Sequence, residues 1–137
     1  MATYNSFEDL QIWQKARIFN KQLYSTFRKI DEKSNGFLKN HILKTSGSIM
    51  DNIAEGFERE GNKEFIQFLY YSKGSVGEIR SQLYRAFDNE LIDEDNLQLL
   101  NKLLKTINIE LAYFISYLKK SEFRGKKFKW SILPAAI

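Results

Sequence analysis

The sequence predicts an all-α protein: a single domain folded as an antiparallel, up-down-up-down four-helix bundle. The 137-residue chain has the usual length of one domain. Its one proline, Pro134, lies almost at the end, so no proline interrupts the helices before it. Apolar residues recur at gaps of three and four in four separate runs, which is the helical period. The breaks between the runs are short, and short connections make successive helices antiparallel neighbours.

The first run begins at the segment SFED, where Ser6 is a suitable N-cap and Asp9 occupies the capping-box position. The apolar stripe that follows consists of Ile12, Ala16, Phe19, Leu23, Phe27 and Ile30. Turn-forming residues fill positions 31–36 and predict the first break.

The second run has an apolar stripe with one serine in it: Leu38, Ile42, Ser46, Ile49, Ile53 and Phe57. We expect this helix to end at Gly61, because glycine is the preferred residue just beyond a helix C-terminus. Asn62 is then expected to cap the third helix.

The third run extends from Phe65 to Phe87, and the fourth from Leu97 to Leu118, with a turn-like break at 89–93. Gaps of three and four alternate along both runs, which is the packing seam of an antiparallel bundle. We expect six side chains on these four helices to be buried: Trp13, Ile53, Leu69, Leu83, Leu104 and Leu111.

Helices three and four carry more apolar residues than one stripe needs. The surplus residues are Ile66, Phe68, Tyr70, Tyr71, Leu99, Leu103, Ile109, Tyr113, Ile115 and Tyr117. Because they cluster on adjacent helices, they favour a subunit interface and therefore a homo-oligomer. The alternative is a broad core with scattered exposed aromatic residues.

Small and polar residues lie beside the core stripes of helices two and three. A hairpin symmetric about Gly61 places Ser48 opposite Gly74, and Gly56 and Gly77 are expected to let the two backbones approach closely. The polar residues of this stripe are Ser48, Asn52, Glu55, Arg59, Ser75, Glu78 and Gln82. We interpret them as a structural network that links the helices, since half-buried polar groups need partners. A binding site is the alternative.

Three motifs carry a resemblance to a known family: FEDLQIWQKA, SIMDNIAEGFER and EFIQFLYYSKGSVGEIRSQL. The chain resembles, from Phe7 to about Leu118, the four-helix-bundle proteins encoded in intervening sequences of bacterial 23S rRNA genes. The resemblance implies a homopentamer around a central axis. One relative, the accessory protein of diversity-generating retroelements, binds nucleic acid and a reverse transcriptase. The sequence departs from the family at Met50, where proline is frequent, and at HILKTS, where only Lys44 keeps a positive charge.

The sequence offers no recognisable catalytic constellation. With a single histidine, His41, it cannot supply the pair of Glu-x-x-His motifs of a di-iron bundle. It has no P-loop and no nucleophile–base motif. It also lacks cysteine. Glu55 and Glu78 are better explained by the polar network than as paired catalytic carboxylates. We therefore expect no enzymatic activity, no metal and no cofactor.

The chain is mildly basic, with a net charge of +4 and a pI near 9.2. No apolar run is long enough to span a membrane, and the polar N-terminus does not resemble a signal peptide, so we expect a cytoplasmic protein with no membrane contact.

The clearest charge feature is a basic and aromatic C-terminal tail, 121–137, which follows the bundle, 1–120. Basic residues interleaved with aromatic ones suit phosphate contacts and base stacking. The candidate nucleic-acid-binding residues are Lys119, Lys120, Arg124, Lys126, Lys127, Lys129, Phe128 and Trp130, with Lys44 on helix two. Alternatively, the aromatic residues dock the tail on the bundle.

Two functional classes follow from these patterns. One is an oligomer that binds RNA or DNA. The other is a protein-interaction scaffold without a nucleic-acid role, for which the resemblance suggests a partner such as a reverse transcriptase.

Overall fold

A computed structural model describes residues 4–121, which form four long α-helices, one short 3-10 helix and no strands. The 3-10 helix is Phe7–Asp9, and the long helices are α1 (Gln11–Phe27), α2 (Glu32–Glu58), α3 (Asn62–Asp88) and α4 (Glu94–Ser121). The all-α prediction and the number of helices are confirmed.

The apolar stripes of the four helices meet in one core. Phe65 lies at its centre, with its ring edge-on to Phe57 at 5.9 Å and to Phe114 at 5.5 Å between ring centroids. Such edge-to-face pairs contribute about 0.5–1.5 kcal/mol each beyond the area they bury. The core therefore joins α2, α3 and α4 through aromatic contacts as well as aliphatic packing.

Five of the six residues expected to be buried are buried: Ile53, Leu69, Leu83, Leu104 and Leu111. The sixth, Trp13, is only half-buried, because it packs at the edge of the core. Its ring lies 5.0 Å from that of Phe7 in the 3-10 helix, and the guanidinium of Arg17 lies over it. Ile115, one of the surplus apolar residues of α4, belongs to the core.

The first helix begins later than its capping signal predicts. The carboxylate of Asp9 does accept a hydrogen bond from the backbone N–H of Ser6, at 3.3 Å. This capping arrangement closes only the 3-10 helix, because Leu10 is extended and separates it from α1.

The break predicted at 31–36 is wrong in its position. Asp31 caps α2, and its Oδ1 accepts a hydrogen bond from the backbone N–H of Lys33 at 3.0 Å. Ser34, Asn35 and Gly36 lie inside the helix. Residues that favour turns also favour helix N-termini, so the same composition is compatible with either structure.

The connection between α2 and α3 also differs from the prediction. Helix α2 ends at Glu58, and Gly61 has a φ of 88°, which favours glycine, immediately before α3. Asn62 does not cap α3. Its Nδ2 donates hydrogen bonds to Ser121 Oγ at 2.8 Å and to the Leu118 carbonyl at 3.4 Å. Asn62 therefore ties the start of α3 to the end of α4.

Close backbone approach between α2 and α3 occurs at one of the expected glycines. A Cβ on Gly56 would lie 2.6 Å from Phe68 Cβ and 2.9 Å from Phe65 Cδ1. The same construction at Gly74 and Gly77 meets nothing within 4 Å. Gly56 is thus required by packing, and the interpretation of Gly77 as a packing glycine is wrong.

Candidate functional site

The predicted polar stripe contains one hydrogen bond between side chains of α2 and α3. Ser48 Oγ lies 2.7 Å from Ser75 Oγ, one residue away from the predicted opposition with Gly74. Ser48 also donates to the Thr45 carbonyl at 2.6 Å, so Ser75 is the donor in the serine pair. Asn52 Nδ2 donates to the Ser48 carbonyl at 2.8 Å, within its own helix. The hydrogen bonds of Ser48, Asn52 and Ser75 are of the kind that packs one helix against another.

Farther along α2, Arg59 pairs with Glu55 at 2.9 Å in an exposed i,i+4 ion pair. Pairs of this kind contribute about 0.3–0.5 kcal/mol. The guanidinium also lies over the Phe68 ring of α3, 4.9 Å from its centroid. Arg59 therefore connects the two helices through a cation–π contact.

Glu78 on α3 forms the third group of the stripe. Its Oε2 lies 3.4 Å from His41 Nε2 of α2 and accepts a hydrogen bond from Gln82 at 3.4 Å. Gln82 is buried, and its Oε1 has no hydrogen-bond partner. Glu55 and Glu78 each have their own basic neighbour. The seven predicted residues thus form three separate groups.

The distribution of charge on α3 and α4 is a feature that the sequence patterns above did not predict. Over their full lengths these helices carry eight basic and six acidic residues, but four of the acidic ones, Glu64, Asp88, Glu94 and Asp95, lie at helix ends. The stretches 65–87 and 96–121 carry seven basic residues and two acidic ones. The basic residues are Lys73, Arg80, Arg85, Lys102, Lys105, Lys119 and Lys120.

Both acidic residues face other helices. Glu78 pairs with His41 of α2, while Glu110 is buried against Lys15 of α1, with which it forms an ion pair. The middle of the outer surface shared by α3 and α4 consequently carries more cations than carboxylates, while Asp88 lies three residues from Arg85 at the end of α3. A charge count that leaves out the helix ends gives the imbalance, although not the direction in which the acidic side chains point.

Three of the candidate nucleic-acid-binding residues lie in the described part of the chain, and all three are exposed: Lys44, Lys119 and Lys120. Lys119 Nζ donates a hydrogen bond to Tyr70 Oη at 2.7 Å and lies 5.1 Å from the ring centroid. The remaining candidates, Arg124, Lys126, Lys127, Phe128, Lys129 and Trp130, lie outside the described residues.

Two general features of residues 4–121 bear on the class of site. Nowhere in this range do three or more histidine or acidic side chains gather as ligands for a metal ion. None of its helices combines the length and the apolar character that crossing a lipid bilayer demands.

Residues 8–113 match the family described as 23S rRNA-intervening sequence protein, from the 3-10 helix through most of α4. The chain belongs to this family. The resemblance drawn from the three sequence motifs is thereby confirmed. No individually curated protein matches the chain significantly. The family description of this intervening-sequence protein gives the location of the coding sequence and names no reaction.

Proposed function

We propose that this intervening-sequence protein is a non-enzymatic, oligomeric, cytoplasmic protein that binds nucleic acid, RNA in particular, through positively charged surface. The observation that supports the proposal best is the middle of the outer surface of α3 and α4, where cations outnumber carboxylates because Glu78 and Glu110 face other helices. A surface of one charge sign attracts a polyanion and releases its counterions on contact.

The proposal includes the up-down-up-down arrangement of the bundle. Between each pair of successive helices, the residue numbers of the contacts increase along one helix as those of their partners decrease along the next. This relation is expected of antiparallel neighbours. The pairs are Asn20–Ser46 and Ile30–Lys39 for α1 and α2, Ser48–Ser75 and Gly56–Phe65 for α2 and α3, and Asn62–Leu118 and Phe65–Phe114 for α3 and α4.

Oligomer formation is proposed to use the outer face of α1 and α4. Glu110 marks the side of α4 that faces α1, and four apolar residues follow the same helical line: Leu99, Leu103, Tyr113 and Tyr117. Ile18, three residues from Lys15, is exposed on the same side of α1. The surplus residue Phe68 of α3, in contrast, lies against Arg59 of α2. The surplus apolar residues of α3 and α4 therefore divide between the side that faces α1 and the side that faces α2.

We expect static light scattering at micromolar concentration to give a multiple of the 16.2 kDa chain mass, and five chains on the strength of the family resemblance. The double substitution Ile18→Asp/Tyr113→Asp should shift the mass to that of one chain, because it places charges in the apolar face of α1 and α4. Phe37→Asp is the control, as Phe37 is exposed on α2. A monomeric native protein would contradict the oligomer, and another multiple would contradict only the count.

For the full-length protein, we expect RNA affinity that falls steeply with salt and depends little on sequence. Replacing four tail residues by glutamine (Arg124, Lys126, Lys127 and Lys129) should weaken binding and flatten the salt dependence by about 0.7 for each phosphate that is no longer neutralised. The measurement is fluorescence anisotropy with a structured RNA at several salt concentrations. A matched control replaces one arginine and three lysines, all exposed, on α1, its connection to α2 and the start of α2: Lys21, Arg28, Lys29 and Lys33.

The outcomes of this titration separate the two functional classes. Undiminished affinity of the tail variant would place the contacts on the bundle. No binding by the unaltered protein, even at low salt, would favour the scaffold function instead. A protein partner, such as a reverse transcriptase, would then bind surface that the oligomer leaves free.

A further inference from the structure

We infer that the outer groove between α3 and α4 is a binding site for the sugar–phosphate backbone of single-stranded nucleic acid. The inference rests on the proposed function and assigns part of that function to particular residues of the bundle. It concerns contacts that the tail does not supply.

On α3, five residues share one outward-facing line because their spacing alternates between three and four, with Lys73 and Arg80 half-buried and the other three exposed: Tyr70, Lys73, Gly77, Arg80 and Tyr84. The groove beside this line is lined at one end by Tyr70 and Lys73 of α3 and by Ala112, Ser116 and Lys119 of α4. Ile115 also lines this end, so the lining combines a tyrosine and an isoleucine with the short side chains of Ala112 and Ser116, and Lys73 and Lys119 add two cations.

Gly77 lies in the middle of the α3 line. It is exposed, and a Cβ at this position would meet no atom of the described chain within 4 Å. Packing within the bundle thus gives no reason for glycine here, although glycine is less favourable than alanine inside a helix. Because Gly77 has no side chain, the surface between Lys73 and Arg80 stays recessed where a ligand backbone would pass.

An independent observation comes from α4. Asn101 lines a second depression on this helix together with Gln98, Lys102 and Lys105. Its side chain is only 7% exposed, yet its Oδ1 has no hydrogen-bond partner. Buried polar atoms are normally paired, so an orphaned carbonyl oxygen in a cationic depression indicates a missing donor. Because Oδ1 is closed to solvent in the free protein, a hydroxyl or amino group of a bound nucleotide can supply the donor only after the amide turns toward the depression.

The dimensions of the groove suit a short single strand. Lys105 and Lys119 are fourteen residues apart on α4, or about 21 Å along the helix axis. This length corresponds to the lower end of the range of about 4–16 nucleotides seen for single-strand sites. Tyr84, at the far end of the α3 line, is half-exposed and offers a free ring face, while the ring of Tyr70 is already covered by Lys119. Stacking on a ring requires an unpaired base, which favours a single strand over a duplex.

The test uses the full-length protein with labelled oligouridylate and oligothymidylate of 20 nucleotides, titrated at several salt concentrations. The groove variant is Lys73→Gln/Lys102→Gln/Lys105→Gln. Its matched control, Lys21→Gln/Lys29→Gln/Lys33→Gln, removes the same charge from exposed lysines outside the groove. We expect the affinity of the groove variant to fall by about fivefold for each lysine replaced, or roughly a hundredfold in all, at 0.1 M salt, with a slope shallower by about 2. The affinity of the control should fall much less.

A second pair of variants tests stacking. Tyr84→Ala should weaken binding by roughly tenfold. Tyr24→Ala should leave it unchanged, because Tyr24 is on α1, and its exposure of 48% matches the 50% of Tyr84. Tighter binding of oligouridylate would identify RNA as the natural ligand, and tighter binding of oligothymidylate would identify DNA.

Failure of the inference can be distinguished from failure of the proposed function. Binding by the unaltered protein with equal decreases in affinity for the groove and control variants would overturn the groove and leave nucleic-acid binding intact. A higher affinity for duplex RNA than for the single strand would overturn the single-strand assignment. No binding by the unaltered protein to any of these probes at low salt would overturn both proposals.

Discussion

Replacing Lys15 by methionine is expected to lower the free energy of unfolding by about 3 kcal/mol. Lys15 forms an ion pair with Glu110, whose side chain is only 7% exposed. Removing the cation leaves a carboxylate buried between α1 and α4 without its partner, and removing one member of a buried pair typically costs about 3–5 kcal/mol. The lower end of that range applies, because Lys15 itself is 37% exposed.

The effect should be asymmetric between the two partners. Glu110→Gln is expected to cost less, since the ammonium group of Lys15 can extend into water when the carboxylate is gone. The double variant Lys15→Met/Glu110→Leu should recover most of the stability, because it removes both charges and retains the volume. Urea denaturation at one fixed protein concentration measures all three, since the stability of an oligomer depends on concentration. A decrease below about 0.5 kcal/mol for Lys15→Met would show that Glu110 is solvated after all.

The bodies of the helices could be predicted from the sequence because burial imposes a period that apolar residues must follow. Leu104 and Leu111, for example, are seven residues apart and both are fully buried. The helix ends could not be predicted equally well. Asp31 and Asn62 have side chains that suit both turns and caps, and only the neighbouring helices decide between these roles. Asn62 reaches α4, which is far away in sequence.

The candidate site was harder to predict for a related reason. Glu110 lies between Ile109 and Leu111, and nothing in the local pattern reveals that it is buried against α1. The cationic outer surface of α3 and α4 emerges only when the directions of Glu78 and Glu110 are known. The tail, by contrast, is conspicuous because its charges lie close together in sequence. The pattern alone therefore identifies its candidate nucleic-acid-binding residues.

The packing requirement at Gly56 leads to a second stability prediction, in which two glycine-to-alanine substitutions act in opposite directions. Gly56→Ala should destabilise the protein by about 2 kcal/mol, because its Cβ would fall 2.6 Å from Phe68 Cβ. That atom is attached directly to the α3 backbone, so the helices must separate. Such overpacking costs about 1–3 kcal/mol, which exceeds the gain in helix propensity.

Gly77→Ala should instead stabilise the protein by about 0.5–1 kcal/mol, because the added methyl meets no atom of the described chain and alanine is the better helix former. Thermal and urea unfolding of the two variants at equal concentration measures the contrast. Equal and favourable shifts in stability would mean that α2 and α3 separate at Gly56 without cost. Close packing would then no longer account for this glycine. Destabilisation by Gly77→Ala would indicate that a neighbouring subunit packs against this glycine, which would place the oligomer interface on α3 and leave the groove closed to a nucleic-acid strand.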